Sequence, residues 1–282
     1  MDFASRISLL CFGASYAISM VAELFRFLWP HRWVRWIATG SALAGMLAQT
    51  LFLVHKGWLS QRIPISNQFE SLVFVSWLMA MVYLYLILRD RRLSAGIFVL
   101  PITIGLVGMA ASLSPEEAGA SDAGNTVLSA THGLTLLVGT VVMVIATVVA
   151  VMYLVKLRQL RRGSVFSRVR LPALERLDRL NLAAVYLAWP LLTIGLGLGF
   201  MLHHLKISDP KVISTLIAWF ILTVLAHYRY QPEHRGPRVA VLTIVAGLAV
   251  LVSFLGDPIF GTAHLRDRST HLPAREAGEG GS

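Results

Sequence analysis

Long apolar runs alternate with short polar segments along the chain. Eight runs are predicted to form helices, at residues 7–28, 34–55, 71–88, 93–112, 127–155, 182–202, 212–227 and 239–255. Several of them reach the roughly 18 residues that a helix needs to cross a hydrocarbon core of about 30 Å. Apolar residues follow one another in these runs and do not alternate with polar ones. In lipid only a helix or a closed barrel satisfies its backbone hydrogen bonds, and the continuous runs fit helices. The pattern therefore predicts an all-α fold, a polytopic transmembrane helical bundle with about eight spans.

The distribution of charge predicts the orientation of these spans. The 282 residues are 56% hydrophobic and 14% charged, with a net charge of +10. Seventeen of the 25 lysine and arginine residues lie in alternate loops, the largest group of them between residues 156 and 179. The positive-inside rule makes those loops cytoplasmic, so both termini are predicted to lie outside. Topology accounts for the excess of positive charge, and no nucleic-acid partner is predicted.

The domain organisation follows from where the apolar pattern stops. Residues 1–264 are predicted to form a single transmembrane domain, with a basic, partly helical cytoplasmic linker at 156–181 that contacts lipid headgroups. The tail at 265–282 has no apolar periodicity and is predicted to be disordered. The first run is longer than the apolar region of a signal peptide, so we expect a retained helix.

Several classes of chemistry are excluded by the residues present. The only cysteine, Cys11, rules out an intrachain disulfide and a CxxCH haem-attachment site, and we expect it to be a buried small hydrophobe. The sequence holds no CxxC pair, Walker loop or HExxH motif, and no nucleophile with a plausible base. Hydrolytic and nucleotide-driven activities are therefore not predicted.

Two local motifs stand out. In the first, SQRIPISNQFESLVFVSW at 60–77, Asn67 is placed to cap the helix that follows, and Glu70 stands three positions later as in a capping box. In the second, Gly195 and Gly199 form a GxxxG pair within one span. Such small residues favour close helix packing, with room for a flat ligand as the alternative.

The segment PISNQFESLVFVSW resembles the signature P-x-S-N-x-Y/F-E-S-L-x-F-x-S-W of CcsA-type cytochrome c biogenesis proteins. Further segments resemble that family in the same order along residues 50–265. They are THGLTLLVG at 131–139, LDRLNLAAVYLAWPLLTIGLGLGF at 177–200, TLIAWFILTVLAHYR at 215–229 and FLGDPIFGTAHL at 254–265. The resemblance implies a polytopic membrane protein that handles haem.

The resemblance also implies which residues hold the haem. His132 and His264 match the family's external axial histidines, and His227 matches its histidine within the membrane. The cofactor implied is a transient haem b with bis-histidine ligation. His227 lies roughly 22 Å from the outward end of its helix, so a second, inner site is required. Trp77 and Trp219, in family-like segments, could line a haem cavity, although simple packing is an equal alternative.

One part of the family pattern is absent. CcsA proteins carry a tryptophan-rich loop, approximately WGxYWxWDPKE, where this chain reads HHLKISDPKV at 203–212. Only Asp209, Pro210 and Lys211 of that motif are present, so a surface of stacked indoles cannot form from this loop. His203 and His204 could replace the indoles, but a solvated loop is the simpler interpretation. An enzyme is therefore expected at most as part of a haem-lyase or synthetase complex.

The resulting prediction is a multi-pass protein of the bacterial inner (plasma) membrane. Haem would enter near His227, move outward, and be held by His132 and His264 for attachment to the CxxCH thiols of apocytochrome c. A CcsB-type membrane partner would complete the inner site. The main alternative is an accessory or regulatory, HemX-like subunit in haem synthesis or beside a transporter, without ligation chemistry. A third alternative is a membrane scaffold whose histidines have no function.

Overall fold

The computed structural model describes residues 3–28, 31–60, 64–65, 67–90, 93–113, 127–162, 170–202, 210–230 and 236–256. In these ranges the backbone forms eight α-helices and no strand. They are α1 (Phe3–Leu28), α2 (Arg32–Ser60), α3 (Gln68–Arg89), α4 (Gly96–Ser112), α5 (Val127–Arg162), α6 (Leu174–Leu202), α7 (Pro210–Tyr230) and α8 (Pro237–Phe254).

The helices have the length and composition of membrane spans. Among the described residues, seven helices are long and apolar enough to cross a membrane, and α4 is a shorter apolar helix of 17 residues. The prediction of an all-helical, polytopic bundle with about eight spans is confirmed. Helix α4 begins at Gly96 rather than at 93 because Leu93 closes a turn on the carbonyl oxygen of Asp90, at 3.0 Å.

Local sequence signals set the helix starts. The side chain of Asn67 accepts a hydrogen bond from the backbone N–H of Glu70 at 2.8 Å, so the predicted cap of α3 is confirmed. The Glu70 carboxylate lies 3.1 Å from Lys56 Nζ on α2, which joins the two helices near this end. Helix α8 starts after Gly236, whose φ of 133° suits glycine, with Pro237 in its first turn.

The helices form two groups that meet at α5. In the first group α1 packs on α2 and α4, and α3 packs on α4; in the second, α5 packs on α6 and α8, and α7 packs on α8. Helix α5 also contacts α3 and α4 and contributes to both buried apolar clusters. The buried seam along α5 therefore joins the two halves.

Two ends of this bundle can be distinguished. The outer end carries the beginnings of α3 and α5 and the ends of α6 and α8, and the inner end is the opposite one. These terms follow the predicted sidedness. Much of the remaining surface is apolar, as expected for a protein that faces lipid. Cys11 is part of that surface, so the expectation that it is buried was wrong: its side chain is exposed on α1.

Candidate functional site

Segments that are distant in sequence meet at the outer end of the bundle. Gln68 Nε2 donates a hydrogen bond to the carbonyl oxygen of Phe254 at 2.7 Å, which joins the beginning of α3 to the end of α8. A Cβ atom added at Gly133 would lie 3.5 Å from Ile65 Cδ1, so the loop before α3 contacts the first turns of α5. The PISNQFES segment thus lies beside two of the other family-like segments.

His132 lies in this cluster of segments, with its imidazole against α6. Its Nδ1 atom is 2.7 Å from the carbonyl oxygen of Gly195. A carbonyl oxygen can only accept a hydrogen bond, so we assign the ring hydrogen to Nδ1. Nε2 then carries the lone pair. Metal-binding histidines commonly have this arrangement, in which one ring nitrogen donates to a backbone carbonyl and the other binds the metal.

Glycine makes the approach of His132 to α6 possible. A Cβ atom at Gly199 would lie 2.7 Å from His132 Cε1, closer than real Cβ contacts allow. A Cβ atom at Gly195 would lie 2.6 Å from Leu136 Cδ2, one turn further along α5. The GxxxG pair therefore packs α6 closely against α5, as predicted, and Gly199 also provides the space that the imidazole occupies.

Trp219 is bound to the other side of α6. Its Nε1–H donates to Thr193 Oγ1 at 3.0 Å, and Trp189 on α6 donates in the same way to Thr223 Oγ1 on α7 at 3.1 Å. Thr193 and Gly195 are two residues apart, or about 200° around the helix, so Trp219 and His132 approach α6 from different sides. The Nε1–H group of Trp219 therefore contributes to the contact between α7 and α6.

Trp77 lies in the other half of the bundle. It is half-buried on α3, and its Nε1–H donates to Thr50 Oγ1 on α2 at 2.8 Å. Its ring is 5.8 Å from that of Phe74, one turn away. The described contacts of Trp77 therefore connect α2 with α3 and do not join it to the cluster around His132.

His227 lies at the inner end, on a face of α7 that no other helix in the described part of the chain covers. Exposed residues follow one another along this face at intervals of four and three residues: Ile213, Ile217, Phe220, Val224 and His227. Two residues further on, Arg229 is buried and turns the other way, toward Asp178 at 3.0 Å. Asn181, which also binds Arg229, is 14 residues or roughly 21 Å from Gly195 along α6. His132 and His227 are thus well separated, as predicted.

Three predicted residues lie outside the described part of the chain. His264, the second external histidine, and His203 and His204 belong to the ranges 257–282 and 203–209. The C-terminal tail at 265–282 is also outside the described residues. Phe254, whose carbonyl oxygen accepts the hydrogen bond from Gln68, is the last residue of α8 and precedes His264 by ten positions in the sequence.

Sequence reasoning missed a buried polar cluster in the first group of helices. Glu23 and Arg26 form an ion pair at 3.0 Å on α1, although Glu23 is only 1% exposed. Tyr83 on α3 donates to Glu23 Oε1 at 3.1 Å, and Arg26 donates to the carbonyl oxygen of Leu93 at 2.8 Å. The signal was available, because two ionisable residues three positions apart stand inside an apolar run.

Comparison with known proteins gives the family. The family described as "Cytochrome C assembly protein" matches residues 65–262 of the chain. The chain is 24% identical to the cytochrome c biogenesis protein CcsA of Guillardia theta, over 81% of this chain and 84% of that protein. It is 27% identical to protein HemX of Brevibacillus brevis, over 86% of this chain and 91% of that protein.

A solved structure shares the fold. The cytochrome c haem lyase CcmF superposes with a TM-score of 0.58 and 19% sequence identity, over 95% of this chain. The chain spans about half of that larger protein, 51% of its length. At this identity the likeness concerns the fold, while the family match covers more than half of the chain. The chain is therefore a CcsA-type member of the cytochrome c assembly protein family, and its role lies in cytochrome c biogenesis.

Proposed function

We propose that this protein binds haem at its outer end and passes it on for attachment to apocytochrome c. The observation that carries the proposal is the hydrogen bond from His132 Nδ1 to the carbonyl oxygen of Gly195, which holds the imidazole in the tautomer and orientation that metal-binding histidines commonly have. Haem is the cargo here, and its iron takes neutral imidazole as a normal axial ligand. His264 is the second axial ligand in this proposal, in the segment that follows the end of α8.

An inner haem site at His227 would need a second protein. His227 lies on the uncovered face of α7, in line with Phe220 and Val224, so a haem bound there would lie between α7 and another molecule. A CcsB-type membrane protein is the partner proposed for this face. In the bacterial plasma membrane, the orientation given by the charged loops would place His227 toward the cytoplasm and His132 toward the outside.

Absorbance spectroscopy of the purified protein tests the outer site. We expect a Soret band typical of bis-histidine ligation in the wild-type protein, and its loss or strong reduction after His132→Ala or His264→Ala. His55→Ala is the matched control, because His55 is an exposed histidine near the same end of the bundle. Protein that is free of haem, with reconstitution unaltered by the first two substitutions, would refute the proposal.

A second function is favoured by a specific similarity. The match to HemX covers 91% of that protein, and residues 203–212 of this chain contain none of the tryptophans of the CcsA-type loop. An accessory protein without ligation chemistry would share the fold and the family. Co-expression with a CcsB-type partner and an apocytochrome distinguishes the two functions: covalent cytochrome c forms if the chain serves attachment, and does not form if its role is accessory.

A further inference from the structure

A cavity of about 280 Å³ lies at the inner end of the bundle, far from His132. It is bounded by α3, the beginning of α4, the middle of α5 and the beginning of α6. Its floor is apolar and consists of side chains that are at most 5% exposed: Met79, Val99, Val148, Met152 and Leu177. The cavity therefore runs into the seam where the two groups of helices meet.

The mouth of this cavity is charged. Arg89, the last residue of α3, and Arg176, in the first turn of α6, both line it and are exposed. Asp90 also lines the mouth, so the three charged groups there have a net charge of one positive unit. Arg176 is close to the N-terminal amides of α6, whose dipole favours an anion. The mouth thus suits a ligand that carries an anionic group.

The membrane side of the mouth is amphipathic. Tyr85 is 64% exposed and Leu180 is 45% exposed, and both line the cavity. A ligand that enters from the bilayer would therefore meet apolar and aromatic surface beside the two arginines. Basic pockets between transmembrane helices on the cytoplasmic side are typical binding sites for anionic lipid headgroups.

We propose that this cavity binds one anionic phospholipid, with an acyl chain on the apolar floor and the phosphate between Arg89 and Arg176. The volume is below the about 300–1,000 Å³ that enclose a whole drug-sized ligand, which fits one acyl chain with the rest of the lipid outside. The bound chain fills the seam between α3 and α5, so the lipid joins the two halves of the bundle. This inference does not depend on haem binding.

Lipid titration of the full-length, delipidated protein in detergent tests the proposal by native mass spectrometry. We expect one saturable site for phosphatidylglycerol and much weaker binding of phosphatidylcholine with the same acyl chains. Each arginine near a membrane surface contributes about fivefold in affinity, so Arg89→Gln with Arg176→Gln weakens phosphatidylglycerol binding on the order of 25-fold. The control is Arg158→Gln with Arg238→Gln, which removes the same charge from exposed sites outside the cavity.

A second variant keeps every charge and changes only the apolar part. Val149 lines the cavity and is 8% exposed, so Val149→Phe occupies the space of the acyl chain and is expected to abolish the saturable site. Equal weakening in both double-arginine variants would show diffuse attraction and overturn the proposal. The proposal would also be overturned if the site bound inorganic phosphate with no preference for the lipid and Val149→Phe left this binding unchanged. The proposal would also be overturned if the Arg89→Gln, Arg176→Gln variant lost haemin binding and kept phosphatidylglycerol binding.

Discussion

The Nδ1 atom of His132 and the carbonyl oxygen of Gly195 lie 2.7 Å apart, across the contact between α5 and α6. The orientation of this imidazole is therefore set by the backbone of the neighbouring helix. A backbone acceptor cannot be removed by substitution of its side chain. A substitution can instead test the contact by filling the space around the ring, which Gly199 leaves open.

Gly199→Ala is expected to displace His132 and weaken haem binding by about tenfold or more. The added methyl group would lie 2.7 Å from His132 Cε1, so the ring must move and its hydrogen bond to Gly195 is distorted. Loss of an outer-shell partner of a metal-binding histidine typically costs 10–100-fold in affinity, which sets the estimate of about tenfold. Haem titration followed at the Soret band measures the change.

Gly197→Ala provides the matched control on the same helix. A Cβ atom at Gly197 would have no atom within 4 Å apart from its chain neighbours and the backbone of its own helix, and the substitution has the same effect on backbone entropy. Haem affinity should therefore be unchanged in Gly197→Ala. If both substitutions weaken haem binding equally, the effect comes from α6 as a whole and the assigned role of Gly199 is wrong.

Much of the fold is predictable from the sequence because lipid imposes one simple rule on the chain. Continuous apolar runs marked the eight helices, and the GxxxG pair indicated which face of α6 packs closely. The lengths were underestimated where helices continue past the apolar run. Helix α5 continues past the apolar run that ends at 155 to Arg162, within the linker predicted to be partly helical, since a polar sequence can remain helical in water once the helix has formed.

The site was less predictable, because it depends on contacts between distant segments. The spacing of His227 from Val224 shows that both share a face of α7, but periodicity does not show whether another helix covers that face. Glu23 and Tyr83 are 60 positions apart, and nothing local indicates that they form a hydrogen bond. Motif resemblance singled out His132, whereas its carbonyl partner is evident only once α5 and α6 are packed together.

Thr193→Val is expected to lower the stability of the α6–α7 contact without changing haem content. Valine keeps the shape of threonine and removes the hydroxyl group that accepts the Trp219 Nε1–H at 3.0 Å. Side-chain hydrogen bonds between membrane helices contribute about 0.6 kcal/mol on average and up to about 1.7. The free energy of unfolding in mixed micelles measures this loss. Thr131→Val is the control, since Thr131 is exposed and bonds within its own helix.

Trp219→Phe then separates a packing role from a role in lining a haem cavity. Phenylalanine retains a ring but donates no hydrogen bond to Thr193. If Trp219 acts in packing, Trp219→Phe and Thr193→Val lower the stability by similar amounts, and both variants keep the Soret band of the wild-type protein. A shifted Soret band in Trp219→Phe alone would support the cavity-lining role.

Arg229→Ala is expected to destabilise the inner end of the bundle by about 3 kcal/mol. Arg229 is 8% exposed and forms an ion pair with Asp178 at 3.0 Å as well as a hydrogen bond with Asn181. Removing one partner of a buried pair leaves the other charge without compensation, which typically costs about 3–5 kcal/mol; the lower figure applies because Asp178 is partly exposed. Chemical unfolding followed by circular dichroism measures the difference.

Arg179→Ala is the control for Arg229→Ala. The Arg179–Glu175 pair at 2.7 Å has similar chemistry, but its two side chains are 75% and 78% exposed. An exposed pair four residues apart contributes about 0.3–0.5 kcal/mol, so this substitution should have little effect. Equal losses in the two variants would mean that burial is not what makes the Arg229 pair strong.

Gly247→Ala and Gly105→Ala are expected to change the stability in opposite directions. At Gly247 a Cβ atom would overlap Thr147 Oγ1 across the contact between α8 and α5, so α8 must move and stability falls by about 1–3 kcal/mol. At Gly105 on α4 a Cβ atom would have no atom within 4 Å apart from its chain neighbours and the backbone of its own helix, and replacing a helical glycine raises stability by up to about 1 kcal/mol. Adding Thr147→Ala to Gly247→Ala removes the overlapping oxygen and should restore most of the loss. If it does not, the loss comes from a part of α8 other than its contact with Thr147.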